Sequence, residues 1–442
     1  MKTLLLKIGN SISGVVMKAP ENTRTIFMYA CLIILNASCY VYLLDDYTNK
    51  FITPAMVNAG LGTLVFAILI VVGMDRKYTE EVFNKQWVLS LFLCICGITI
   101  IISGFLHDIG YSYIAMGMFM AFMMPLFCLV WGDKEHLTNL FKALSITIVV
   151  LFIAFFLLQV FITPRYADEF FLGGRYKGMC GNSNGIAKAS LPAYYAAIYL
   201  IGIGKRKTRF LYAIVAGMSL AMIVMAATRA CFLSICLLTF FYLWMRVKNS
   251  WKDTNKLKNL AIGVLIATAI IAISVPTSKA CLEWKSKNMS QEQSVEIDDS
   301  LGLIDRADQG QNEDGTTNID AVSSGRITIW KEVIQGAKFM GRDKDDIVFN
   351  AHNAIIEYLK RSGWIAAIAF FLVELGSAVW ILVTVFSKKK VDDYQMFAVI
   401  GITAYGIVSL LDIVDLPFAK FITTVFYLCF AAMCVKRNST IS

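Results

Sequence analysis

The 442-residue sequence predicts an all-α polytopic membrane protein, on three observations. Hydrophobic residues make up 57% of the chain and charged residues 17%, where a soluble domain is nearer half apolar and a quarter charged. Apolar runs of about twenty residues, enough to cross a bilayer as a helix, recur from end to end. The runs are continuous rather than alternating, which excludes a transmembrane β-barrel. A mean hydropathy of +0.62 agrees.

Taken in order, hydropathy places spans at 26–44, 54–74, 87–105, 111–131, 140–162, 185–203, 210–227, 231–245, 260–275, 363–386, 394–411 and 418–434. That makes about twelve transmembrane helices. The division is nine helices over 1–275, a polar loop over 276–351 and three helices over 352–442. The run 111–131 contains Pro125 and 231–245 is short, so these two spans rest on the weakest patterns. The basic start through Arg24 leads into a full-length span, so no cleavable signal peptide is expected. The eleven cysteines lie mostly within apolar runs, as at Cys31, Cys94, Cys96, Cys128, Cys236 and Cys429. They show no metal-ligand or disulfide spacing and read as small core residues.

The net charge of +9 suggests nucleic acid only until the charges are located. They fall in short loops: Arg76 and Lys77, Lys205 to Arg209, Arg246 to Lys258, Lys388 to Lys390, Lys436 and Arg437. With this span list all of them share one side, which the positive-inside rule makes cytoplasmic, together with both termini. No nucleic-acid partner is implied. The opposite face carries Asp45 and Asp46, His107 and Asp108, the glycine-rich segment 164–184, the turn at Thr228 and Arg229, the loop 276–351 and the stretch from Asp412 to Asp415. Residues 292–320 are acidic and polar. From Gly325, Ile327, Ile329, Trp330, Val333 and Ile334 fall at helical spacing, which predicts a short amphipathic helix on the membrane surface, N-capped by Ser323 or Ser324.

Four basic groups on this face stand out. Arg229 sits between two apolar segments, where an arginine is costly unless it snorkels or faces a polar cavity or partner. The positive-inside rule disfavours it there. Arg175 lies in GGRYKGMCGNSNGIAK, whose glycines allow close backbone approach and whose Asn182 and Asn184 offer amide groups near a helix start. The same pattern also reads as an ordinary capped turn. Arg326 opens the amphipathic run and alone would be a solvated charge. His352 precedes a span in AHNAIIEYLKRSGW, beside Asn353 and one turn before Glu357; a lone histidine there is more often interfacial than catalytic. Together, three arginines and a histidine on a face that should be poor in basic residues point to an anionic ligand. Guanidinium grips phosphate as a bidentate fork, more strongly away from bulk water. A histidine can take a hydroxyl proton at neutral pH. A diphosphate clamp beside a base describes a transferase in which a sugar hydroxyl attacks and a lipid diphosphate leaves.

With those residues in view, the chain resembles the O-antigen ligase and O-antigen polymerase superfamily over nearly its whole length. The local matches are RYKGMCGNSNGIA, ATRACFLS, SSGRITIW and AHNAIIEYLKRSGWIAA. The spacing of TRA, GRITIW and HNAIIE, with DIVDLP near the end, resembles the lipopolysaccharide ligases. The resemblance implies a GT-C-type glycosyltransferase at the periplasmic face of a bacterial inner membrane, needing no metal or other cofactor. Its donor would be undecaprenyl-diphosphate-linked O-antigen and its acceptor the lipid A–core oligosaccharide. It further implies His352 as general base and Arg229 and Arg326 as donor diphosphate-binding residues. Arg175 matches more loosely, and Asn182, Asn184, Asn353 and Glu357 would support the site. A polymerase that extends the lipid-linked glycan shares these motifs. A transporter would instead place paired or broken helices and ionisable groups near mid-membrane, where Lys188 and Glu374 fall inside spans.

Overall fold

A computed structural model describes residues 2–44, 57–76, 87–108, 110–161, 170–172, 174–289, 325–342, 351–412, 414, 418 and 420–435. The described chain is almost entirely helical: α1 (Lys2–Val16), α2 (Glu21–Leu43), α3 (Thr63–Val72), α4 (Val88–His107), α5 (Tyr111–Trp131), α6 (Lys134–Phe161), α7 (Ser183–Ile203), α8 (Arg206–Met225), α9 (Arg229–Ser250), α10 (Thr254–Met289), α11 (Arg326–Gln335), α12 (Ala354–Phe386), α13 (Asp393–Leu411) and α14 (Phe421–Phe430). A two-stranded antiparallel hairpin, β1 (Phe171–Leu172) with β2 (Arg175–Tyr176), is the one sheet among the described residues. Among the described residues ten helices are long and apolar enough to cross a membrane, and two shorter apolar helices, Gly60–Val72 and Phe421–Cys434, fall within the second and twelfth expected spans. The protein is a multi-pass helical membrane protein. In hydrocarbon only a helix or a closed barrel satisfies the backbone internally, which is why apolar runs of this length fold so.

Burial separates the helices. In α7 and α13, 78% and 72% of the apolar window is inside the protein, whereas in α10 it is 0%. The first two form the centre, and α10 is an outer helix packed chiefly on α8. Small residues explain α7: in SNGIAKASLPAYYAAIYLIGI, alanine, serine and glycine let α6, α8 and α13 approach closely. The weakly patterned span α5 is continuous but contains a π-helical turn at Phe119–Met123 just before Pro125. Proline has no N–H to give to the carbonyl of Ala121, and the Cys94 thiol of α4 donates to that oxygen instead, at 3.4 Å. Most of the cysteines are small core residues, as expected: eight of the eleven are buried, and all are free thiols.

Several expectations differ from the fold. The loop expected from Pro276 begins later, because α10 runs through that proline to Met289. Hydropathy marks where the apolar stretch stops, not where the helix stops: beyond it Leu282 is buried and Lys279 pairs with Glu283 one turn on. The span expected from Gly363 starts nine residues earlier, at Ala354, and Gly363 breaks α12 with φ 82°, ψ −175°. The N-terminal helix α1 and the hairpin were not anticipated. The N-cap position of α11 is Gly325, at φ 77°, without a side-chain cap; Ser323 and Ser324 lie outside the described residues, as do 292–320, 45–56 and 436–442. Finally, part of the apolar face of α11 is covered by protein: Val333 and Ile329 pack on Ile355, Ile356, Leu359 and Ala367 of α12.

At the end of the bundle away from Ala354, the basic residues tie helices together. Lys248 of α9 donates to the carbonyls of Thr384, Val385 and Ser387 at the C-terminus of α12, and Arg246 donates to Gly202 O at the end of α7. Cations at helix C-termini meet the negative end of the helix dipole and cap open carbonyls. A second cluster there joins Arg24 to Asp75 at 2.7 Å, His136 Nε2 to Asp75 at 2.7 Å, His136 Nδ1 to Asp133 at 2.8 Å, and Arg76 to Asp133. Burial works to raise the Asp133 carboxyl, but the hydrogen bond and charge of His136, with Arg76 behind, hold it down at about 2. Asp75 is lowered against burial in the same way by His136 and Arg24.

Candidate functional site

The site is built around the C-terminus of α13. Its last carbonyls, at the negative end of the helix dipole, receive two side chains from elsewhere: Asn353 Nδ2 donates to Leu410 O at 3.0 Å, and Arg326 Nη1 to Leu411 O at 2.7 Å. Asp412, the C-cap residue, follows directly. One carboxylate oxygen lies 2.7 Å from Lys188 Nζ of α7 and the other 3.6 Å from His352 Nδ1. The Lys188 and Asp412 side chains are 14% and 13% exposed, and the His352 side chain is 40% exposed although its Nδ1 is buried. The ring therefore turns Nδ1 inward to Asp412 and leaves its other side open. At 3.6 Å the Asp412 contact is longer than a hydrogen bond.

His352 is held in an unusual conformation. Its φ is 50°, in the left-handed region that costs a non-glycine residue energy and persists only when the surroundings impose it. The surroundings are specific. Trp330 Nε1 of α11 donates to Ala351 O at 2.6 Å, and Ala351 N donates to Glu357 Oε2 at 3.1 Å. On the other side Asn353 N-caps α12, accepting from Ile356 N at 3.0 Å. With the Asn353 bond to Leu410 O, four hydrogen bonds fix the residues before and after His352. Glu357 is itself buried, with Lys360 Nζ at 3.1 Å and Arg361 Nε in contact, so two cations compensate its charge. Asn353 and Glu357, expected as supporting residues, shape the turn that presents His352.

Arg175 is held in the fold by three hydrogen bonds. From β2 its Nε donates to Ala226 O at 2.9 Å, and its Nη2 to Asn184 Oδ1 at 2.7 Å and Thr228 Oγ1 at 3.2 Å. Thr228 also donates to Asn184 Oδ1, at 3.1 Å, and Asn182 N-caps α7 through Gly185 N. Arg175, Asn182 and Asn184 therefore lock the hairpin and the start of α7 to the turn from which α9 springs. The first helical residue of α9 is Arg229, half-buried. Two residues on is Cys231, a buried thiol near Lys188, Asp412 and Arg175. The start of α9, the Lys188–Asp412 pair and Arg175 accordingly lie at one end of the bundle.

Of the expected residues, His352, Arg326, Asn353 and Glu357 gather at the α13 terminus, and Arg229 stands on the neighbouring helix start. Lys188, Asp412 and Trp330 belong to the same site and were assigned no role from the sequence. The signals were present: a lysine inside a span, an acidic residue where an apolar run ends on the arginine-bearing face, and a tryptophan on the amphipathic run. Among the described residues no group of three His, Cys, Asp or Glu side chains is placed to hold a metal ion. In comparisons with known proteins, no family model and no curated protein matches this chain.

Proposed function

We propose that the protein is an O-antigen ligase: a GT-C-type glycosyltransferase that moves a glycan from undecaprenyl diphosphate to the lipid A–core oligosaccharide at the periplasmic face of the inner membrane. One observation carries this reading. An imidazole with one buried nitrogen facing a carboxylate and its other side open stands beside an arginine, with a second arginine on the adjacent helix start. In the reaction the acceptor hydroxyl oxygen attacks the anomeric carbon of the donor sugar. The bond from that carbon to the diphosphate oxygen breaks, and its electron pair leaves with the lipid diphosphate. His352, through its open nitrogen, takes the hydroxyl proton and passes it to water. Asp412 accepts from Nδ1–H and orients the ring. Arg326 and Arg229 stabilise the diphosphate as charge builds on it. Arg175 holds the α9 start in register.

The test is reconstitution. Purified protein in lipid is incubated with lipid-linked glycan and rough lipopolysaccharide. A ladder on the lipopolysaccharide is the expected product. Elongated glycan still on the carrier diphosphate would mean a polymerase, and an unchanged donor would reject glycosyl transfer altogether.

A further inference from the structure

The Lys188–Asp412–His352 row contains one carboxylate between two nitrogen bases, and its spacing is uneven: 2.7 Å to the lysine, 3.6 Å to the histidine. In a site this buried, a carboxylate without a partner would draw a proton onto the imidazole beside it and form an Asp–imidazolium pair. An imidazolium cannot accept a proton from a hydroxyl. An ammonium already in contact with the carboxylate removes that pull. The pair Lys188–Asp412 is neutral as a unit, and the carboxylate keeps a lone pair for Nδ1–H. Lys188 reaches this position from α7, the most enclosed of the ten long spans, at the cost of desolvating an ammonium inside a span.

We infer that Lys188 is a positioning residue whose ammonium neutralises Asp412 so that His352 stays unprotonated and able to act as base. This rests on the transferase reading for its purpose but not for its test. Other charged or titratable groups bear on Asp412 from each neighbouring element. They are the Cys231 thiol of α9 with Arg229 two residues before it, Arg175 of the hairpin, which lies near the same thiol, Arg326 of α11 at the adjacent Leu411 carbonyl, and Glu374 of α12, which accepts from Ser409 one turn earlier on α13. Lys188 Nζ and His352 Nδ1 face the two oxygens of the carboxylate.

The test measures protonation of His352 without any substrate. Diethyl pyrocarbonate acylates unprotonated imidazole, and mass spectrometry separates His352 from His107 and His136. In the full-length protein, the pH midpoint for labelling His352 is compared among wild type, Lys188→Met and Lys188→Arg. Loss of one charge at this range moves a neighbouring titration by about 1–2 pH units. The methionine variant should label with its midpoint that much higher, and the arginine variant should return it to the wild-type value. An unmoved or lowered midpoint in Lys188→Met overturns the inference. If that variant does not fold, Asp412→Asn is compared with the double variant Lys188→Met/Asp412→Asn. The single variant leaves the ammonium uncompensated, so its midpoint should fall below that of the double by about a unit, and equal midpoints overturn the inference. Transfer, measured in parallel, should be lost by Lys188→Met near neutrality and recovered at higher pH. A wild-type protein that transfers nothing removes the ligase reading and leaves the labelling result standing by itself.

Discussion

His352 combines a strained backbone, a clamped position and an imidazole open on one side. Trp330, Glu357 and Asn353 hold the turn, and Asp412 faces the ring. His352→Ala should lower single-turnover transfer by about 10²–10⁴-fold, the usual contribution of a positioned base. His352→Gln should do the same, since size and polarity are kept but basicity is not. Donor binding by the same preparations should be unchanged. Transfer retained by the glutamine variant would remove His352 from the chemistry, and binding lost with transfer would reassign it to the diphosphate. The arginines make a separate prediction. Lysine keeps the charge but not the planar fork, so Arg229→Lys and Arg326→Lys should each lose most transfer at normal expression. For Arg326 the loss includes its bond to Leu411 O, which a lysine ammonium satisfies in a different geometry. Near wild-type rates in both variants would exclude a bidentate role.

At the scale of elements, the site depends on helix ends rather than helix middles. The α13 C-terminus, the α9 N-terminus and the first turns of α7 and α12 each contribute, and each end is completed by side chains from another element. The break in α12 is the sharpest case. Gly363 sits at φ 82°, ψ −175°, a region essentially reserved for glycine, and a Cβ there would strike the backbone of Phe339 and Gly341. The break lets the chain before α12 pass against the helix, where Trp364 N donates to Lys338 O at 3.3 Å. It also separates the short segment that carries Glu357 from the long apolar stretch. Gly363→Ala should therefore cost about 1–3 kcal/mol or more and lower the detergent melting temperature. It should reduce transfer more than donor binding at α9, because the turn holding His352 shifts. A variant with wild-type melting would show that the break is not required.

Across the whole molecule the two ends divide the work. One end gathers an imidazole, arginines and a buried ion pair. The other uses its basic residues to cap helix C-termini and to build the Arg24–Asp75–His136–Asp133–Arg76 network. That network makes stability pH-dependent with a definite sign. Asp133, held at about 2 against an ordinary value near 3.9, contributes fully above about pH 4; the contribution is lost as pH falls through about 2. Partial exposure screens the effect to roughly 1 kcal/mol. The melting temperature should drop between pH 4 and 2 in wild type. Asp133→Asn should melt lower at neutral pH and show a shallower fall across that window. Equal slopes would mean that Asp133 carries no share of the acid sensitivity.

Composition and run length alone determined that this chain is a helical membrane protein, because each span must satisfy its own backbone in lipid and so reports itself locally. The apolar segments were legible for the same reason, and the amphipathic helix at Arg326 from its helical spacing; the break at Gly363 inside α12 was not. His352, Arg229 and Arg326 could be picked out because their charge was wrong for their place. Where a helix continues past its apolar part, as α10 does through Pro276, hydropathy carries no signal, since polar residues can be helical too. The partners were also hidden. Lys188 and Asp412 are 224 residues apart and meet only because α7 and α13 form the centre of the bundle. Arg175 reads in sequence either as an anion ligand or as part of an ordinary capped turn; that its guanidinium donates to Ala226, Asn184 and Thr228 is set by the packing that brought three acceptors within reach. Which groups could do chemistry was a property of residue type and local setting; which of them share a site, and which only hold it in shape, was decided by how the helices pack.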